Sequence, residues 1–153
     1  MDLILWRHAE AEDQREGQED LDRALTPRGQ KQAARVGEWL RKHLPEDTQV
    51  LCSPALRCQQ TALGLGRGFS IVDSLAPDAP PAAILQAAQW PGNDRPVMVV
   101  GHQPTLGQTL AQVLRLQDGN CGVRKGAAWW LRARESDGAQ EILVWAVQSP
   151  ETA

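Results

Sequence analysis

The sequence has no apolar run approaching the ~20 residues that a bilayer-spanning helix needs, so no membrane span is expected. Its opening stretch, Met1 to Arg7, lacks a basic n-region, a long apolar segment and a small-residue cleavage site. No signal peptide is expected from it, and the cytoplasm is the expected compartment. Positive charge is not in excess: 16 Lys and Arg stand against 19 Asp and Glu, for a net charge of -3. Neither nucleic acid nor an anionic membrane is therefore expected as the main partner. Cysteine is scarce. Cys52, Cys58 and Cys121 are odd in number and follow no metal-ligand spacing, so reduced thiols and no cysteine-held metal are expected. Internal repeats and low-complexity linkers are also missing. What remains is a chain of 153 residues, 42% hydrophobic and 23% charged. That fits one globular domain over residues 1–153, with nothing pointing to an obligate oligomer, and a monomer is expected.

The elements that are present alternate strand and helix, which predicts an α/β fold. Leu3–Trp6 and Val97–Val100 are short runs apolar on both faces, as in central parallel strands covered by helices on each side. Val50–Cys52 and Ser70–Val72 are shorter strand candidates. Thr26-Pro27 predicts an N-cap with proline in the first helical position. Beyond it Ala33, Val36, Gly37, Leu40 and Leu44 share one helical face, and Lys42 and His43 sit near the C-terminus, where cations are favoured. Ser53-Pro54 repeats the cap signal and predicts a helix to about Leu65. Pro104 opens a third helix, with Leu106, Leu110, Val113 and Leu114 on one side. Pro80 to Ala88 predicts a short fourth. Ala127–Ala133 and Glu141–Gln148 read as strands joined at Asp137-Gly138, an antiparallel hairpin at one end of a mostly parallel sheet.

Two apolar strands end in the same way, the first in Arg7-His8 and the other in Gly101-His102. Ligands of open α/β sheets bind at the carboxyl ends of the strands. A third strand ends at Ser53-Pro54, and Arg57 follows one helical turn later, pointing back to the same edge. Two histidines and two arginines thus converge. Guanidinium groups match phosphate oxygens with paired hydrogen bonds. An imidazole among cations has its charged form disfavoured, and the neutral ring is a nucleophile toward phosphorus. The cations would stabilise charge on a transferring phosphoryl group. Taken singly, each residue has a plainer reading, a hydrogen-bonded structural histidine or a solvated arginine. Metal binding by His8 and His102 is a further option, made unattractive by the adjacent arginines.

The segments Leu5-Trp6-Arg7-His8-Ala9-Glu10, Leu25-Thr26-Pro27-Arg28-Gly29, Ser53-Pro54-Ala55-Leu56-Arg57-Cys58-Gln59-Gln60-Thr61 and Val100-Gly101-His102-Gln103-Pro104 resemble, in order, the histidine phosphatase (phosphoglycerate mutase-like) superfamily. The resemblance implies a three-layer α/β/α sandwich. It also implies that His8 carries the phosphoryl group covalently while Arg7, Arg57 and His102 bind its oxygens, before water releases inorganic phosphate without a metal. Covalent catalysis divides one hard displacement into two easier ones. Larger members carry helical insertions over the pocket, whereas the short stretch from Thr61 to Gly101 leaves no room for a helical lid. An open site suits a phosphoryl group on a protein surface better than a small metabolite. Short length, Arg-His-Ala and Asp22-Arg23-x-Leu25-Thr26 are most similar to the SixA-type phosphohistidine phosphatases. Their partners are histidine-phosphorylated proteins, phosphorelay or phosphotransferase-system carriers.

The chain departs from the family pattern twice. Ala9 stands where glycine is commonest, which is acceptable if the backbone there keeps φ negative. Ser74 stands where many members place a glutamate acid. Asp20, Asp22, Asp73 and Asp78 are the candidate general acids, and the residues do not choose among them. A missing strong acid favours a phosphoramidate, whose imidazole leaves as a neutral ring once protonated, over an alkyl ester, whose alkoxide must be protonated. The segment after the first strand carries Glu10, Glu12, Asp13, Glu16, Glu19, Asp20 and Asp22. It reads as a solvated loop, or as a rim steering a basic protein surface.

Other functions remain in view. A small-molecule phosphomonoesterase of the same superfamily and a non-catalytic phosphate-binding module are alternatives. A cysteine-dependent phosphatase is disfavoured, because Cys52 and Arg57 stand one residue too close for a Cys-x5-Arg loop. The tryptophans are expected to be structural, with Trp90 in a loop and open to exposure. Gln59, Gln60 and Thr61 are expected to position the helix and nearby loops.

Overall fold

The computed structural model describes residues 1–153. Six strands form one sheet: β1 (Asp2–Arg7), β2 (Gln49–Cys52), β3 (Ser70–Ile71), β4 (Val97–Gly101), β5 (Ala128–Ser136) and β6 (Ala139–Gln148). Their spatial order is β3-β2-β4-β1-β5-β6. The first four are parallel, while β5 pairs antiparallel with β1 and β6 with β5. The helices are α1 (Pro27–His43), α2 (Leu56–Leu63), α3 (Pro81–Ala88) and α4 (Thr105–Leu114). No helix is long and apolar enough to cross a membrane.

Alternation along the strands builds the three layers, because successive side chains point to opposite faces. Leu3 and Leu5 of β1 join Val97 and Val99 of β4 and Leu51 of β2 in a cluster with Ile84 of α3 and Leu106 and Leu110 of α4. Ile4 and Trp6 join Met98, Val100, Val50 and Cys52 on the other face, with Val36 and Leu40 of α1 and Cys58 and Ala62 of α2. Residues 3–6 are fully buried, which is why β1 is apolar without alternation. Full burial of each large apolar side chain contributes about 1.5–3 kcal/mol. The buried Trp6 indole finds a partner by donating Nε1–H to the Gly126 carbonyl at 2.9 Å.

The sheet edge beyond β1 is anchored by polar contacts. Arg132 donates to both Asp2 oxygens at 2.8 Å, and Trp130 Nε1 donates to Oδ2 at 2.9 Å. Burial alone would raise the Asp2 carboxyl. The hydrogen bonds from Arg132 and Trp130 outweigh it and hold the carboxyl below its ordinary range. The Arg132 guanidinium also stacks 3.7 Å from the centroid of the exposed Trp145 ring.

Most predicted elements appear, and α1 has the predicted cap, with Thr26 Oγ1 accepting from Gly29 N at 2.9 Å and Pro27 at the first position. Two expectations need correction. The second helix begins at Leu56 rather than at Pro54, with Ala55 at the N-cap and no side-chain cap. The Ser53 hydroxyl oxygen accepts from Ala55 N at 3.2 Å, ahead of the first helical residue, and also faces His102 Nε2. Trp90 is only 7% exposed. The left-handed Gln89 (φ 52) closing α3 turns the chain inward, and the indole donates to the Met1 carbonyl at 3.3 Å.

Candidate active site

Backbone hydrogen bonds splice the carboxyl ends of three strands together. His8 N–H donates to the Gly101 carbonyl at 3.1 Å, and Ser53 N–H donates to the Val100 carbonyl at 3.0 Å. Because β4 lies between β1 and β2, His102 emerges between His8 and Ser53. The two imidazole centroids are 5.3 Å apart with rings tilted at 57°. The convergence expected for Arg7, His8, Arg57 and His102 therefore occurs at the edge where α/β folds build sites.

His8 Nδ1 lies 2.8 Å from the Ala9 carbonyl. A carbonyl only accepts, so Nδ1 carries the proton and Nε2 keeps its lone pair. Burial, then the neighbouring His102, Arg57 and Arg7, lower the His8 pKa from 6.5 to about 3, against the opposing Ala9 hydrogen bond. The ring is neutral at physiological pH. His102 Nε2 lies 2.7 Å from Ser53 Oγ, and Arg57 donates to His102 Nδ1 across 3.4 Å. Since arginine only donates, Nδ1 accepts and Nε2–H faces Ser53. Burial first, and Arg57 second, lower the His102 pKa to about 4.

Arg7 donates from NH1 to the Val123 carbonyl at 2.8 Å, and burial lowers its pKa. Arg57, on the first turn of α2 and 4% exposed, donates from NH1 to the Asp20 carbonyl at 2.9 Å and from NH2 to Asp20 Oδ2 at 3.1 Å. The buried Nε–H of each arginine has no partner within the protein. Buried donors normally find one, so both guanidiniums retain a donor suited to an anion's oxygens.

Asp20 reaches Arg57 from a short 3-10 turn in the loop between β1 and α1. Its carboxylate also accepts from Arg23 NH1 at 3.1 Å. Slight burial would raise its pKa, but the Arg23 and Arg57 hydrogen bonds prevail and lower it. The other candidate acids are not drawn in. Asp22, Asp73 and Asp78 are exposed and make no hydrogen bond to the four converging residues. The acidic loop is tethered at its base, where Ala11 bridges Leu25 and Arg23 Nε donates to the Glu12 carbonyl at 2.8 Å.

Residues expected to position the loops do so. Thr61 Oγ1 donates to the Arg57 carbonyl at 2.7 Å and accepts from Ala9 N at 3.0 Å, tying α2 to the residue after His8. Gln60 Oε1 accepts from Leu25 N at 2.7 Å, and Gln59 Nε2 donates to the Pro54 carbonyl at 2.8 Å. Ala9 is fully buried and is not among the positive-φ residues, so alanine fits there. A Cβ on Gly29 would lie 2.0 Å from the Glu10 carbonyl oxygen, so only glycine lets α1 approach this close. Ser53 is the participant the sequence reading missed; its place at the end of a strand on the same edge was the available signal.

Cysteine chemistry is not prepared here. Burial raises the Cys52 thiol to about 12 and raises Cys58 as well, so both stay protonated. Nor do His8 and His102 find a third His, Cys, Asp or Glu to complete a metal-ligand group.

The family model of the histidine phosphatase superfamily (branch 1) matches residues 3–76. The chain is 30% identical to the solved structure of a protein provisionally assigned as phosphohistidine phosphatase SixA from Nakamurella multipartitia. The two superpose with a TM-score of 0.74 over 97% of this chain and 95% of that one. A phosphohistidine phosphatase SixA homolog from Haemophilus influenzae is 28% identical over 128 residues, 74% of this chain and 77% of the relative. An uncharacterized Mycobacterium tuberculosis protein is 39% identical over 101 residues, 65% of this chain. The match spans 63% of that relative's own length. With the fold, the order of the motifs and a 30% identity to the Nakamurella multipartitia protein over 97% of this chain in agreement, the protein belongs to the histidine phosphatase superfamily.

Proposed function

We propose that this chain is a phosphatase that hydrolyses phosphohistidine on a carrier protein through a phosphorylated His8. The observation that carries the reading is the fixed tautomer of His8: Nδ1–H is held by the Ala9 carbonyl, so an unprotonated Nε2 is available among cations. In the first step Nε2 attacks phosphorus and the substrate's P–N bond breaks. The substrate's phosphoimidazole, protonated by solvent on its other ring nitrogen before the P–N bond breaks, leaves as a neutral ring. In the second step water attacks phospho-His8, releasing inorganic phosphate and restoring the neutral ring. Arg7 and Arg57 hold the phosphoryl oxygens through both steps, and His102 joins them when Arg57 turns from its Nδ1 to the phosphate and that nitrogen takes up a proton, these donors compensating the charge that builds there.

Asp20 acts in this scheme by holding Arg57 rather than by giving up a proton. Its carboxyl is kept ionised by Arg23 and Arg57, the opposite of what a general acid needs. With Asp22, Asp73 and Asp78 exposed and hydrogen-bonded to none of the four converging residues, no aspartate is fixed over His8 as a strong acid. That favours a phosphoramidate over an alkyl phosphate. The likeness to proteins described as SixA phosphohistidine phosphatases points the same way.

Phosphate release from a phosphohistidine-bearing carrier protein, beside a phosphoserine peptide and 3-phosphoglycerate, tests the reading with wild type and His8→Ala. Selective release from phosphohistidine, lost in the variant, is expected. Release from the esters instead would move the assignment to a small-molecule phosphomonoesterase. Phosphate binding without any phosphoenzyme would leave a non-catalytic binding module.

A further inference from the structure

Beside the His8 site lies a basic face that the chemistry does not use. Arg28, Lys31 and Arg35 recur at helical spacing on α1 and present one side of it. Arg124 and Lys125 lie in the turn before β5, and all five side chains are exposed. The two groups border adjoining shallow concavities of ≈ 240 and ≈ 270 Å³ that share Arg28, Gln32 and Glu151.

The placement next to the nucleophile is fixed by backbone. Gly126 N–H donates to the His8 carbonyl at 3.0 Å, so the Arg124-Lys125 turn hangs directly from the residue that bears the nucleophile. Gly126 has φ +76, and a Cβ there would lie 2.9 Å from Pro150 and 3.6 Å from Gln32, so glycine lets the turn, α1 and the C-terminal segment meet. On the α1 side, Gln32 Oε1 accepts from Glu10 N at 3.0 Å, two residues beyond His8.

Charge on this face runs against that of the whole. The chain carries a net charge of -3, yet five cations here meet two carboxylates. Arg28 pairs loosely with Glu10 at 3.9 Å and Arg124 with Glu151 at 3.8 Å. Lys31, Arg35 and Lys125 belong to no ion pair. Unpaired cations on long exposed side chains, spread over two elements, suit an extended acidic surface more than a single small anion, which would want a buried, convergent donor set.

We propose that this face docks an acidic stretch of the phosphoprotein substrate, seating its phosphohistidine at His8. The inference rests on the phosphohistidine reading above. It assigns the partner an acidic flank beside the modified histidine, and it makes association weaken as salt rises.

The probes are three synthetic phosphohistidine peptides, flanked by Asp and Glu, by Lys and Arg, or by Ala and Ser. Phosphate release is measured with wild type, Lys31→Glu/Arg35→Glu/Lys125→Glu and the milder Lys31→Gln/Arg35→Gln/Lys125→Gln. Wild type should show kcat/KM on the order of tenfold higher for the acidic than for the neutral peptide, as expected for several rim charges acting together. The reversal variant should lose that preference, the glutamine variant should fall between, and the neutral peptide should be turned over equally by all three. Equal kcat/KM for the three peptides, or an unchanged preference in both variants, would overturn the docking surface. Fluorescence anisotropy of the unphosphorylated peptides separates the two ideas. If no phosphohistidine peptide is hydrolysed, the functional reading falls. The docking surface then stands if the acidic peptide binds wild type more tightly than the reversal variant, and falls if it does not.

Discussion

Lowering the pH from 7 to 5 should cost this protein about 4 kcal/mol of folding stability through two buried histidines. In the folded chain His8 takes up a proton only near pH 3 and His102 only near pH 4, whereas both would titrate near 6.5 when unfolded. The unfolded state therefore binds more protons across the whole window below 6.5. The stabilisation is fully present above that value and is lost progressively as pH falls toward the folded pKa. At pH 5 both folded rings are still neutral, so the loss hardly depends on the folded values and amounts to about 2 kcal/mol per histidine. The lowered carboxyls of Asp2 and Asp20 contribute in the opposite range, around and below their ordinary 3.8, and leave this window to the histidines. Against a total stability of about 5–15 kcal/mol the loss is large. Urea titrations followed by tryptophan fluorescence at pH 7 and pH 5 measure it. His8→Asn should show about half the wild-type pH dependence. A wild-type loss below about 1 kcal/mol, or an undiminished loss in His8→Asn, would refute the claim that both imidazoles are held neutral by burial and by their cationic neighbours.

Asp20→Asn should lower kcat/KM by about threefold to tenfold, the scale of a loosened positioning contact, and leave the alkaline limb of the pH–rate profile in place; losing that limb would make Asp20 the general acid instead. Ser53→Ala removes the hydroxyl facing His102 Nε2; it should destabilise the fold by about 1–3 kcal/mol and lower kcat, as chemical denaturation and steady-state rates will show. Gly29→Ala should destabilise by about 1–3 kcal/mol despite alanine's better helix propensity, because its Cβ collides with backbone, and calorimetry with activity will show stability and turnover falling together. Alkylation of the native protein should label Cys121 alone and leave activity intact, since Cys52 and Cys58 are buried; mass spectrometry and phosphate release decide it.

The sequence by itself determined the elements and the four converging residues. Leu3–Trp6 and Val97–Val100, apolar on both faces, could only be central strands between two helical layers, and each is followed by a site histidine. Thr26-Pro27 announced α1 because a cap is local: the side chain and the amide it accepts from are three residues apart. Where local signals competed with distant partners, the tertiary structure decided. Ser53 followed by proline reads as a cap, but its hydroxyl meets the Ala55 amide and, across the sheet edge, His102, while α2 starts at Leu56. Four aspartates were equivalent on paper. Only Asp20 is brought to Arg57, across 37 residues, by the tethered loop between β1 and α1, and the contacts with Arg23 and Arg57 hold its carboxyl below its ordinary range. The basic face, too, is written in two segments that mean nothing apart. It exists because Gly126 lets α1, the turn before β5 and the C-terminal segment meet beside His8. Periodicity and caps depend on neighbours along the chain, whereas ion pairs, tautomers and surface patches depend on neighbours in space, which only packing assigns.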